Sequence, residues 1–325
     1  MLGLSARIGL GCGRFRGGFE ESNARRLLDA ALKCGIKYFD TAPSYGASER
    51  ILGRGLRGLR GQVELCTKVG LYGAAASAAP NTVETLRGLV LTAMRTVLPD
   101  AAIDKLKQGR RAPKPATPKQ RGYGNFDLAL IRPSVERSLE ALETGYLDCL
   151  MLHEPRLTDP TQELAELLGK LVHEGLAVRL GVGTYSLFED LPDFGDVAQF
   201  AIGPGGCKDR GQRTLIGHGA LRGLVPDAFE NCVREAGIFD RVPALKRCLS
   251  EPNGAGALLL NAVIFGSNIQ RVLISTSSPK RLQGLMSTAE NIYGEIRSRD
   301  DQELGRRFGD SLDRYSQRQA PAGTR

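Results

Sequence analysis

The 325-residue chain predicts an α/β fold, a (β/α)8 TIM barrel in a single domain. Three observations predict it. Eight short runs are apolar almost throughout rather than alternating, as strands buried on both faces are. Amphipathic stretches lie between them. The alternation runs through the chain without a break, which favours a closed parallel sheet wrapped by helices.

The first run, 7–11 (RIGLG), predicts strand one. Residues 21–34 then put Leu27, Leu28, Ala31 and Leu32 on one helical face, and Gly35 follows as a stop. Strand two is 37–40. The helix after it, 48–59, opens on Ser48 and Glu49, a cap residue and an acid at the positive end of the dipole. Strand three is 63–68. A stretch at 99–125, rich in Pro, Lys, Arg and Gly, then breaks the pattern and predicts a flexible basic loop insertion before strand four.

Pro133 is expected to open a helix at 134–143, where its missing N–H costs little. Strand four is 147–153, and a helix at 161–174 stops before Gly175. Strands five, six and seven are 179–183, 197–202 and 214–217. Helical patterns at 243–249 and 256–265 precede strand eight, 271–275. The barrel domain is thus expected over 1–300, with a C-terminal helix and flexible tail over 301–325. A doubly wound sheet would want a helix straight after the glycines of "GLGCGRFRGG", and no apolar-periodic segment stands there.

The formal charge is +8, but it is not spread over a face. Lys105, Lys107, Arg110, Arg111, Lys114, Lys119 and Arg121, against Asp104, carry most of it. No nucleic-acid partner is therefore expected. The seven cysteines are odd in number, scattered and without a CxxC pair, as reduced thiols of a cytoplasmic protein are. No apolar run reaches membrane length, and the N-terminus lacks a secretory apolar core.

Function in such a barrel gathers at the C-terminal strand ends. Strand two ends in Asp40, with Tyr45 in the following loop, "FDTAPSYGASERILG". Strand three, "VELCTK", ends in Lys68, and strand four, "LDCLMLH", in His153. A buried lysine needs a partner, and Asp40 supplies one. A lysine ammonium beside a phenol favours phenolate, so Tyr45 is expected to have a lowered pKa and to move protons near neutral pH. A neighbouring imidazole can hydrogen-bond the reacting oxygen.

These segments resemble the aldo-keto reductase superfamily over nearly the whole chain. "FDTAPSYGASERILG" is similar to its Asp–Tyr signature, "CTKVG" to its lysine strand and "GYLDCLMLHEP" to its histidine strand. The resemblance implies a catalytic tetrad of Tyr45, Asp40, Lys68 and His153, with Tyr45 as acid–base group. It also implies a nicotinamide cofactor, NADP(H), without metal. On the cofactor side, Gly183 and Thr184 stand where the family has a Ser-Asn pair, and Gln199 matches its carboxamide-binding glutamine. Gly217 and His218 occupy the place of an aromatic that stacks on the nicotinamide. Ser275, Thr276 and Arg281 fit the segment that grips the 2′-phosphate, whereas Gly284 and Leu285 replace two polar adenine ligands. The implied reaction interconverts a small-molecule carbonyl (aldehyde, ketone or sugar lactone/lactol) and an alcohol, in a monomer or small homo-oligomer. A second reading stays open: an NADP(H)-binding redox sensor with little turnover.

Overall fold

The computed structural model describes residues 3–15, 21–72, 122–186, 188, 191–202, 213–299 and 301–319. Eight strands pair in chain order, all parallel: β1 Ile8–Gly11, β2 Tyr38–Asp40, β3 Glu64–Val69, β4 Leu147–His153, β5 Ala177–Gly183, β6 Val197–Ala201, β7 Thr214–His218 and β8 Arg271–Ile274. β8 pairs back onto β1 through Leu10 and Ile274, so the sheet closes. The expected (β/α)8 barrel is the fold, and the strand runs read from the sequence lie within two residues of the observed ones.

The helices of the described residues are α1 Glu21–Lys33, α2 Ser48–Gly55, α3 Leu128–Ala141, α4 Gln162–His173, α5 Pro226–Glu235, α6 Ile238–Arg241, α7 Leu245–Leu249, α8 Gly254–Gly266, α9 Pro279–Arg297 and α10 Gln302–Gln319. Their apolar faces pack on the outside of the sheet in one large core. A second, smaller core fills the barrel itself with Tyr38, Cys66, Cys149, Met151, Val197, Ile216 and Leu273. Helix α8, "GAGALLLNAVIFG", carries no charge because α9 and α10 cover its outer side, where Phe308 and Leu312 of α10 are buried. Among the described residues no helix is long and apolar enough to cross a membrane.

Helices α5 and α9 stand where the sequence reading gives none, and two of the expected helices have different bounds. α3 starts at Leu128, not after Pro133. Asp127 caps it, its carboxylate accepting from Ala129 N at 3.0 Å. Pro133 therefore sits in the second turn, where it forfeits one backbone hydrogen bond. Helix α2 ends at Gly55 rather than 59, and Gly58 takes φ +78° in the turn beyond it. Of the insertion expected to be flexible over 99–125, residues 99–121 lie outside the described residues, as does the tail at 320–325. Gly124 N and Asn125 N, by contrast, donate to the Glu154 and Gly70 carbonyl oxygens at 2.9 and 2.8 Å, so the end of the insertion is held on the barrel.

The amino-terminal end of the barrel is tied by charge. Glu64, which opens β3, accepts from Arg271 at 2.8 and 3.1 Å and from Arg179 at 3.4 Å. Arg271 belongs to β8 and Arg179 to β5, so one carboxylate links three strands. The Arg271 guanidinium also lies 4.1 Å from the centre of the Tyr38 ring.

Helix α2 matters for the site, because the loop before it carries Tyr45. It packs against the end of α3 so closely that a Cβ on Gly53 would lie 2.5 Å from the Ala141 carbonyl oxygen. Backbone cannot yield as a side chain does. Gly53→Ala should therefore lower stability by about 1–3 kcal/mol, the scale of overpacking, measured by urea unfolding.

Candidate active site

The strand ends bring the predicted groups together. Lys68, the penultimate residue of β3, is 2 % exposed. Its Nζ donates to Asp40 Oδ1 at 2.6 Å and to the Thr41 carbonyl oxygen at 2.9 Å. The loop after β2 turns through Pro43–Tyr45, and Gly46 follows at φ +65°, ψ −116°, a conformation that only glycine holds at low cost. The turn sets the Tyr45 ring 5.2 Å from Lys68 Nζ and edge-on to His153, with ring centroids 5.7 Å apart. Behind this group Thr41 Oγ1 donates to Ser48 Oγ, and Thr67 Oγ1 donates to Glu49, fastening α2 to β2 and β3.

Burial and charge compete at each titratable group. Burial alone would lower the Lys68 pKa, but Asp40 together with Tyr45 and Cys66 outweighs it and holds the ammonium charged. Tyr45 departs from the sequence expectation. Burial pushes its phenol up to about 12, more than the Lys68 charge and hydrogen bond pull it down. The phenol thus keeps its proton through the neutral range. His153 is pushed down to about 3 by burial and by the Lys68 charge. Its Nδ1 is buried without a hydrogen-bond partner. A proton there would be an unsatisfied buried donor, so the neutral ring carries its proton on Nε2, the nitrogen open to the cavity.

A cavity of about 810 Å³ lies over these residues. Asp40, Gly183, Thr184, Gln199 and His218 line it, and Ser275, Thr276 and Arg281 line its far side. Gly217 does not. A Cβ there would meet Ile202 and Ile269, so residue 217 faces the helices and His218, one residue on, faces the cavity. Gln199 Oε1 is buried with no partner.

Thr184 also differs from expectation. Its hydroxyl donates to Glu154 Oε2 at 2.8 Å and accepts from Ser186 N at 3.0 Å, so its proton is already committed. Glu154 Oε1 accepts from Tyr185 N at 2.9 Å. The Thr184 carbonyl oxygen accepts from His218 Nε2 at 2.8 Å, which fixes the His218 proton on that nitrogen. Burial lowers the His218 pKa, so this ring too favours the neutral form. Tyr185 meets His218 edge-on at 5.0 Å.

Glu154, Tyr185 and Arg222 line the cavity as well, and the sequence reading does not find them. A signal for Glu154 is present: it directly follows His153 in "LHEP", at φ +55°.

A closed parallel barrel with a polar cavity at its C-terminal strand ends defines a (β/α)8 protein with an enzyme-like site. Residues 7–194 match the Aldo/keto reductase family. The chain belongs to that family. Among curated relatives, it is 29% identical to "Aldo-keto reductase YhdN" of Bacillus subtilis, over 60% of this chain and 47% of the relative. It is 25% identical to "Uncharacterized oxidoreductase YqkF" of the same organism, over 55% and 45%. The matched part therefore spans about half the length of each. Among solved structures, the holo form of aldo-keto reductase AKR11C1 from Bacillus halodurans superposes at TM-score 0.56 with 19% identity, covering 91% of this chain and 92% of that one. An aldo-keto reductase from Klebsiella pneumoniae, solved with NADPH, gives 0.51 and 19%, covering 90% of each. At such identities these likenesses speak to the fold.

The His153 shift has a measurable consequence. An unfolded imidazole titrates near 6.5, the folded one near 3. The unfolded chain therefore binds the proton first as pH falls. The stability linked to neutral His153 is complete above about pH 6.5 and is lost progressively towards pH 3. His153→Gln should remove up to about 1.4 kcal/mol per pH unit from the slope of unfolding free energy between pH 6 and 5. Urea melts of both proteins across that range give the two slopes, and equal slopes would mean that the folded ring is already charged.

Proposed function

We propose that the protein is an NADP(H)-dependent oxidoreductase that interconverts a carbonyl (an aldehyde, ketone or sugar lactone/lactol) and the corresponding alcohol. The observation that carries this reading is the meeting of Tyr45, Lys68, Asp40 and His153 on one cavity wall. Family membership supports it.

The cofactor side fits a nicotinamide dinucleotide phosphate. The orphaned Gln199 Oε1 is an acceptor that a carboxamide N–H can satisfy. Gly183 keeps open the space beside it, since a Cβ there would lie 3.2 Å from Lys68 Cε. The neutral His218 ring offers a flat partner in place of a larger aromatic. Arg281 stands in the first turn of α9, which Ser278 caps, and Ser275 and Thr276 precede it. A helix N-terminus with a free guanidinium suits a phosphate.

When bound, the nicotinamide supplies or takes up the hydride. The protein's residues handle the proton. In the direction of reduction, Tyr45 Oη gives its proton to the carbonyl oxygen as the carbonyl carbon gains the hydride, which leaves an alcohol and a phenolate. Lys68 holds that phenolate by charge, and Asp40 keeps the ammonium in place. His153 Nε2–H donates to the carbonyl oxygen and aligns it. The raised Tyr45 pKa keeps the donor loaded at neutral pH.

Tyr45→Phe retains the ring and removes the proton. Turnover of NADPH with an aldehyde should fall by about two to four powers of ten, while NADPH binding, followed by fluorescence, stays nearly constant. Full activity in this variant would exclude Tyr45 as donor; no turnover in the wild type with a broad carbonyl panel would favour the sensor reading. Arg281→Ala should weaken NADPH by about 1–3 kcal/mol and leave NADH almost unaffected, as separate dissociation constants would show.

A further inference from the structure

Arg14, Arg222 and Arg281 line the cavity, and none has a carboxylate within ion-pair distance among the described residues. Arg281 has a use in the reading above, against a phosphate. Arg222 stacks its guanidinium towards Tyr185, 5.8 Å from the ring centre. Arg14 has neither. It follows the end of β1, and its neighbour Gly13 lies against the proposed proton donor. A Cβ on Gly13 would sit 3.6 Å from the Tyr45 ring. Arg14 is therefore one residue from the proposed proton donor, just beyond the end of β1, which β2 and β8 flank.

The carboxylates that share the cavity are already engaged. Asp40 takes Lys68, and both Glu154 oxygens take donors from Thr184 and Tyr185. Glu251 accepts the Thr288 hydroxyl. None of them is turned to neutralise Arg14. Gly13 also contributes no side chain between Arg14 and Tyr45, so a small substrate can reach both. A guanidinium in this position matches a carboxylate with two parallel, charge-assisted hydrogen bonds.

We propose that Arg14 is a specificity-determining residue that selects carbonyl substrates bearing a carboxylate about one arginine side-chain length from the reacting carbon. The proposal rests on the reductase reading for its reaction. The substrate class is then an aldehyde or keto acid, rather than a neutral aldehyde or an unmodified sugar.

The test compares 4-formylbenzoate with 4-formylbenzamide, a neutral compound of nearly the same shape. With NADPH, wild-type kcat/KM should favour the carboxylate by at least about tenfold, the scale of one hydrogen bond to a charged group. Arg14→Ala should bring the ratio close to one, and Arg14→Lys should keep part of it. A wild-type ratio near one overturns the proposal. So does an unchanged ratio in Arg14→Ala, or an equal loss on both aldehydes, which would place Arg14 with the cofactor or the fold. Calorimetric titration with benzoate and benzamide separates this inference from the reaction itself. If neither aldehyde turns over, tighter benzoate binding that disappears in Arg14→Ala still upholds the selection and removes only the reductase reading. Equal binding of the two probes overturns the selection.

Discussion

A lysine 2 % exposed to solvent can keep its charge only if something inside the barrel answers it, and here that is Asp40 at 2.6 Å. Much of the site follows from that pair. Asp40 ends β2 and Lys68 lies near the end of β3, so the ion pair joins adjacent strand tops. The ammonium also reaches the Thr41 carbonyl and fixes where the loop to Tyr45 begins. The same charge lowers the pKa of His153 and works against burial at Tyr45. Removing either partner would leave an uncompensated buried charge, so the pair cannot be edited one residue at a time.

Magnitudes decide the character of the proposed acid. Charge alone favours phenolate, and burial favours phenol; burial wins, at about 12. A tyrosine of that kind holds its proton at neutral pH but releases it less readily than a free phenol, so any phenolate formed there would lean on the Lys68 charge. On the facing wall, Glu154 binds the Thr184 hydroxyl and the Tyr185 N–H, and the Thr184 carbonyl binds His218. The ends of β4, β5 and β7 are thus joined through one carboxylate and one carbonyl.

The strands were legible because barrel strands are apolar on both faces, and a continuous run such as "LDCLML" fits no half-exposed element. The same property hid their phase. In "TLIGHG" nothing in the residues says whether 217 or 218 turns inward, and only the barrel sets Gly217 against Ile202 and His218 into the cavity. Pro133 pointed to a helix start that Asp127 pre-empts one turn earlier. Helices α5 and α9 begin at Pro226 and Pro279, each with proline in the first turn, so the rule that failed at 133 would have found both. Asp40, Lys68 and His153 were readable as strand-end polar residues, and Tyr45 as a polar residue of the loop after β2. The sign of the Tyr45 shift was not, since a sequence records the neighbouring charge but not how much water the fold removes. Glu154 was hidden because its role depends on a left-handed backbone that turns its carboxylate onto β5.

Glu64, at the other end of the barrel, ties β3 to β5 and β8 through two arginines. The anchor is remote from every loop that shapes the cavity. Insertions and replacements in those loops can then be tolerated without loosening the strands beneath. Grafting foreign loops onto this barrel should succeed where the Glu64 clamp is retained, and a redesign that disturbs the clamp would spread its damage to all three strands at once.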